Sequence, residues 1–449
     1  MSKPRCAGLS LTALLGLTLC AHTATAGPAP AGNRGYDAWL AAHAPALQRL
    51  STTRSGAPAA AAPAPKVGGQ VVTTTEDDTN HDGTIDNRAV VTTTFDKKGR
   101  VVSEATDGDT GADGTVESHS LLTNEYDKSG NVVLKVSVSN INNLGAGGDG
   151  SVFERATLST TYDSKGHPLT ELGLLDNESD GHVDRSDKTT YEYDAKGNAV
   201  KVVGEVDEAA DGTVDMRFTI RTTYDQKGRA LEEWAENDED ADGTPESVLH
   251  GVTVYDAAGN VIEHTSEVDE GADGVIDGTS RDTATYDQDG HVLSALSEED
   301  ANADGKLNRR STGVYTYSAA GLLVNTVSET DQADKPTGEI DGVIDYREAS
   351  TFEYDSDGNL VRQVSTAAAI GFDSFTSISL LEYDSRGNVT LTTSELFANS
   401  DSTPLSRART ENTYNSRGQL VKSATETDSD GQPGFEQIVV VTIVYDGVK

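Results

Sequence analysis

The chain of 449 residues carries 74 acidic against 35 basic side chains, a formal net charge of −39, and two cysteines. That balance argues against nucleic acid and anionic lipid as partners, since both need positive surface, and it favours cations. Cys6 and Cys20 both fall within residues 1–26, so a chain trimmed of that segment has no disulfide and draws its stability from packing, hydrogen bonds or bound ions.

Residues 1–26 read as an export signal. Lys3 and Arg5 lead an apolar stretch over residues 7–21, and Ala24-Thr25-Ala26 offers a small-residue cleavage site. A lipid anchor at Cys20 is the alternative, although Leu19 stands where such a site takes a small residue. Loss of Lys3 and Arg5 takes the charge from −39 to −41 (−39 − 2). Residues 27–66 form a second segment. A short helix over 36–50, with Trp39, His43, Leu47 and Leu50 on one side and interrupted at Pro45, precedes the Pro/Ala linker "SGAPAAAAPAPK". The helix would cover the edge of the first repeat; a leader without structure fits the composition equally. No later stretch is long and apolar enough for a transmembrane helix.

Residues 67–449 are repeats. Tyr or Phe recurs at 95, 126, 162, 193, 224, 255, 286, 317, 354, 383, 414 and 445, and eight of the eleven steps are 31 residues. Such a period marks an array in which each unit buries its surface against its neighbours. Glycine stands four residues after eleven of these anchors, as in "YDAKGNAV" at 193–200. Asp can bond its own backbone two residues on and Gly tolerates positive φ, so this is a hairpin turn. Before each anchor the residues alternate: Met216, Phe218, Ile220, Thr222 and Tyr224 share one parity, Arg217, Thr219, Arg221 and Thr223 the other. Period two with one apolar face predicts half-buried strands. Seven residues after each glycine stands Thr, Ser, Gly or Ala, which implies close approach of a neighbour. The fold class is therefore all-β: twelve antiparallel β-hairpin repeats in a long curled or spiralling sheet, with barrel, shell and open spiral left as alternatives.

A second turn is acidic. Asp stands thirteen residues before ten of the twelve anchors, usually followed by Gly. Around it lie Asp78, Asn80, Asp82 and Asp86; Asp176, Glu178, Asp180 and Asp184; Asp238, Asp240, Asp242 and Glu246; and Asp300, Asn302 and Asp304. Oxygen ligands at first, third and fifth positions before a sharp glycine turn are how a short loop surrounds calcium. The bidentate Glu of an EF-hand's twelfth position is replaced by Ala89 and Leu249, although Asp187 stands there in the fourth repeat. Asp-Gly turns with solvated acids are the alternative. Side-by-side hairpins would bring Asp207, Asp211 and Asp215 near Asp238, Asp242 and Glu246, a repulsion that a shared cation relieves.

"GAGGDG" at 145–150 spells a dinucleotide glycine pattern but occupies an acidic-turn position with no helix after it. No H-E-x-x-H or G-x-S-x-G occurs, and no nucleophile has a recognisable base, so the expectation is not an enzyme. "YDAKGNAV", "YDSDGNLV" at 354–361 and "YNSRGQLV" at 414–421 resemble the YD repeats of Rhs and teneurin-like proteins. That resemblance implies a β-strand shell, with carbohydrate binding or toxin delivery in some members; here the period is longer and an acidic loop is added. The resulting expectation is a secreted, periplasmic or cell-surface, non-enzymatic adhesion or scaffold element. Its partners would be calcium ions and a surface polysaccharide or another surface protein. A carbohydrate-binding module using the tyrosine column and an outer-membrane β-barrel are the alternatives.

Overall fold

A computed structural model describes residues 68–142, 151–177, 180–333, 338–370, 374–398, 402–429 and 434–446. The export signal, the 36–50 helix, the linker, "GAGGDG" and Glu178 lie outside them. What is described is all-β. Twenty-four antiparallel strands run from β1 (Gln70–Asp78) to β24 (Gln437–Asp446), each 9 to 12 residues long. Each strand pairs with its neighbour in sequence, and β1 pairs with β24 from Gln70↔Asp446 to Asp78↔Ile438. The meander is therefore a closed β-barrel, and closure satisfies the backbone groups that a sheet edge would leave open.

The alternation read from sequence is kept, with one departure. In β10 (Met216–Tyr224) and β11 (Ala230–Asp238), Thr223 faces Glu232 but Tyr224 faces Ala230, so Leu231 is bulged out. The same shift precedes Phe95, Tyr126, Tyr162, Tyr193, Tyr255, Tyr286, Tyr317, Tyr354, Tyr383 and Tyr414. A bulge at each turn adds local twist, which helps a long meander curl round on itself.

The two faces of the wall differ. Buried Phe218, Ile220, Ala235, Leu249, Leu381 and Ile443 share parity with the tyrosines. On this tyrosine face the small column lets side chains cross between strands: Phe218 lies over Gly204, and Ser266 with Ser280, Ser350 with Ser365 and Thr410 with Thr425 pair through hydroxyls at 2.7 to 2.9 Å. The opposite, charged face carries cross-strand ion pairs such as Arg88–Glu76 at 2.9 Å and Arg221–Glu236 at 2.7 Å. Exposed pairs of this kind contribute ~0–1 kcal/mol each, so they do little to hold the fold.

Repeats are fastened to one another through the tyrosines. The hydroxyl of Tyr255 donates to Ala230 O at 2.9 Å, and nine further tyrosines donate to the corresponding carbonyl of the preceding repeat at 2.7 to 3.0 Å. Within the turn, Asp225 Oδ1 accepts from the amides of Lys227 and Arg229 while Oδ2 accepts from Arg229 Nε at 2.7 Å. Arg229 in turn lies over the Tyr255 ring at 4.4 Å, and His167 stacks on Tyr193 at 4.9 Å. Each letter of the "YD..GN" motif thus has a structural duty, and the ring and hydroxyl of the tyrosine column are committed to packing. Those commitments work against a sugar-stacking ladder.

Candidate functional site: the acidic rim

Hairpins alternate, so all short YD turns gather at one rim and all acidic loops at the other. Acidic loops open with an acid that is the last or next-to-last residue of its strand, as Asp207 ends β9 (Ala199–Asp207) and Asp109 precedes the end of β3 (Val101–Thr110). Asp78, Asp176, Asp207, Asp238 and Asp300 are buried there. Asp78 Oδ1 accepts from the amide of Asp82 at 3.1 Å and Oδ2 from that of Gly83 at 2.8 Å. Asp176 does the same for Asp180 and Gly181, and Asp300 for Asp304 and Gly305. The chain can turn this tightly because the sixth residue, such as Gly243, has φ near 95°. The fourth also lies in the left-handed region, His81 and Ala241 both at 53°.

The remaining predicted oxygens also accept amides. Asn80 Oδ1 accepts from Asp82 N at 3.0 Å and Asp240 Oδ1 from Asp242 N at 3.1 Å. Fifth-position carboxylates accept two residues on: Asp82 from Thr84, Asp180 from His182, Asp242 from Thr244 and Asp304 from Lys306, at 2.8 to 2.9 Å. The bond from the Thr84 amide holds the Asp82 carboxyl below its ordinary pKa, and the Thr213 amide does so for Asp211. The ninth position reaches back across the loop, Asp86 to Thr79 N at 2.8 Å, Asp184 to Asn177 N at 2.7 Å and Glu246 to Glu239 N at 2.5 Å. Asp187 takes no part in its loop; it pairs with Arg185 at 3.1 Å. Much of the acidity at this rim is therefore turn chemistry, with carboxylates capping amides that the loop leaves open.

Adjacent loops touch through their backbones: Gly111 N donates to Asp86 O and Gly271 N to Glu246 O, both at 2.5 Å, and His81 Nδ1 lies 2.8 Å from Phe435 O across the seam. Among the described residues, three groups of acids and histidines bring ligand atoms within 4.8 Å of one another: Asp238, Asp240 and Asp242; Asp109, Asp113 and Glu117; and Asp287, Asp289 and His291. The first was predicted together with Glu246, which lies outside the group and instead accepts from Glu239 N. The second went unread because Gly111 fills its third position; its ninth-position acid, Glu117, was the available signal. The third belongs to the YD rim, where Asp287 already holds His291 Nδ1 at 2.8 Å. The other predicted sets stand together as turns, with Asn302 joined to Asp300 only through its amide at 3.4 Å.

The histidines on the wall have partners of their own: His250 meets Glu232 at 2.9 Å, His119 meets Asp107 at 2.5 Å and His264 meets Thr253 at 3.0 Å.

No protein-family model matches the chain, and no curated protein matches it. Among solved structures, a porin-like protein from Bacteroides uniformis is similar at 9% identity over 85% of this chain and 97% of that one, with a TM-score of 0.21. The β domain of the Bordetella autotransporter BrkA is similar at 8% identity over 84% and 99%, with a TM-score of 0.10. At such scores neither bears on what this barrel does.

Proposed function

We propose that the chain is an exported, non-enzymatic β-barrel of the outer envelope, standing in the outer membrane with its acidic loops outward. The observation that carries this reading is closure. Twenty-four antiparallel strands of 9 to 12 residues leave no edge, and an even-numbered closed barrel is the form in which β-structure can stand in hydrocarbon. Short turns and both ends of the wall lie at one rim and the longer loops at the other, the arrangement common to bacterial barrels of this kind. The tyrosine face buries Phe218, Ile220, Ala235 and Leu249, so the apolar surface offered to lipid is the exposed set of Trp234, Val254, Val314, Leu380 and Val444, interleaved on the opposite face with Glu205, Arg217, Arg221 and Glu236. The YD-turn kinship, with its shell of strands, is part of the same reading.

A second reading, a wall of the same shape standing in water at the cell surface, is favoured by the charges interleaved with that apolar set. Fractionation separates the two. The expressed chain should sediment with outer membranes, resist extraction by alkaline carbonate and enter solution in detergent. Release into detergent-free buffer would overturn the membrane reading and leave the surface wall.

A further inference from the structure

We propose that the loop of Asp238, Asp240 and Asp242 holds one hard divalent cation of the calcium class, a site that stands whether the wall meets lipid or water. Two observations converge on it. The first is geometric. One carboxylate oxygen from each residue lies within 4.8 Å of the others. Two oxygens on opposite sides of a calcium ion, at roughly 2.4 Å each, stand about 4.8 Å apart, so the three fit within one coordination sphere.

The second is an orphaned atom. Asp238 is 7% exposed; its Oδ2 accepts from the amide of Gly243 at 3.0 Å, and its Oδ1 has no partner. In sister loops that oxygen accepts the fifth-position amide, from Asp82 onto Asp78 at 3.1 Å, from Asp211 onto Asp207 at 3.0 Å and from Asp273 onto Asp269 at 3.0 Å. Here the corresponding amide, Asp242 N, is given to Asp240 Oδ1. The buried oxygen is left with no donor, an arrangement that folded proteins rarely leave uncompensated. Arg217 Nη1 stands 3.7 Å from Oδ2 and neutralises that side only. A cation among the three carboxylates satisfies the other.

The loop of Asp109, Asp113 and Glu117 repeats both signs. Asp109 is 8% exposed with Oδ1 unpartnered, and Glu117, whose Oε2 accepts from Thr110 N at 2.7 Å, is the third carboxylate of the group, from the ninth position. By contrast Asp300 has both oxygens on amides, and its third residue is Asn302. The two loops are set apart by both signs together, since Asp331 also leaves Oδ1 unpartnered but has no second and third carboxylate grouped with it among the described residues.

The test uses terbium as the calcium probe. Trp234 lies on β11 four residues before Asp238, roughly 13 Å along the strand, and is the one tryptophan of residues 67–449. In the full mature chain carrying Trp39→Phe, excitation of Trp234 should give saturable terbium emission that calcium reverses. Asp240→Asn keeps the amide contact to Asp242 and removes a charge; it should weaken terbium binding at least about tenfold with an unchanged circular dichroism spectrum. Asn302→Ala should bind as the parent does. Absence of saturable emission, or undiminished affinity in Asp240→Asn, would overturn the site.

Discussion

Gly204 lies on β9 (Ala199–Asp207) opposite Phe218, and a Cβ placed on it would stand 2.0 Å from Phe218 Cε1 and 2.1 Å from Cζ. Carbon atoms ordinarily meet at ~3.5–4.0 Å, so the ring of a Gly204→Ala variant must retreat by about 1.5 Å. It has little room to do so. Phe218 is 7% exposed, its partner on the far side is Asn237 at 1%, and Ala235 beside it is fully buried. Backbone strain does not enter, because Gly204 is an extended strand residue. The expected loss is therefore that of overpacking, ~1–3 kcal/mol. Equilibrium unfolding in urea, in whichever solvent keeps the barrel monodisperse, should show a lowered midpoint at constant slope. Phe218→Leu should be damaging alone yet relieve Gly204→Ala, giving a favourable coupling of about 1 kcal/mol or more in a double-mutant cycle. A Gly204→Ala variant as stable as the parent, or strictly additive losses in the double variant, would refute the claim that the small column exists to admit side chains from the neighbouring strand.

Two further outcomes follow from the turn rim. Tyr255→Phe removes the donor to Ala230 O and should cost ~1 kcal/mol, whereas Tyr317→Phe, whose buried hydroxyl has no acceptor, should be neutral or stabilising; equal losses in the two unfolding curves would contradict the stapling role. The pKa values of Asp96, Asp163 and Asp225 are lowered from 3.8 to about 2, chiefly by backbone amides of Arg100, His167 and Arg229. Lowered carboxylate values mean stability that is present above pH ~3.8 and lost as pH falls towards 2. Urea midpoints should therefore drop between pH 4 and about 2, less steeply in Asp225→Asn; a flat profile would sink the reasoning.

Much of this architecture is legible in the sequence. The tyrosine spacing gave the repeat, the parity of Met216 to Tyr224 gave the strands, and the glycine column gave one turn, because local periodicity is written residue by residue. Closure is not. Val71 pairs with Tyr445 across most of the chain, and no local pattern distinguishes a seam from an ordinary ladder. Leu231 reads as a strand residue although it is bulged, since its apolar character suits either place. The acids were found but their partners were not. A carboxylate spaced to reach a cation is spaced equally well to reach the amides of its own loop, so Asp78 and Asp238 look alike in sequence and differ only in whether an oxygen is left over.

Closure through β1 and β24 makes the wall a ring with one cut. The acidic hairpins link odd strands to even ones, and Gln70 meets Asp446 at the opposite rim, where another YD turn would stand. The first and last strands of the wall lie side by side, so the order in which repeats are strung is separable from the shape they make. A chain joined across the seam by a short linker and opened instead at one of its YD turns would hold the same ladders, the same tyrosine bonds and the same rim. Circular permutation is thus built into this protein's geometry, and its first repeat is first only by convention.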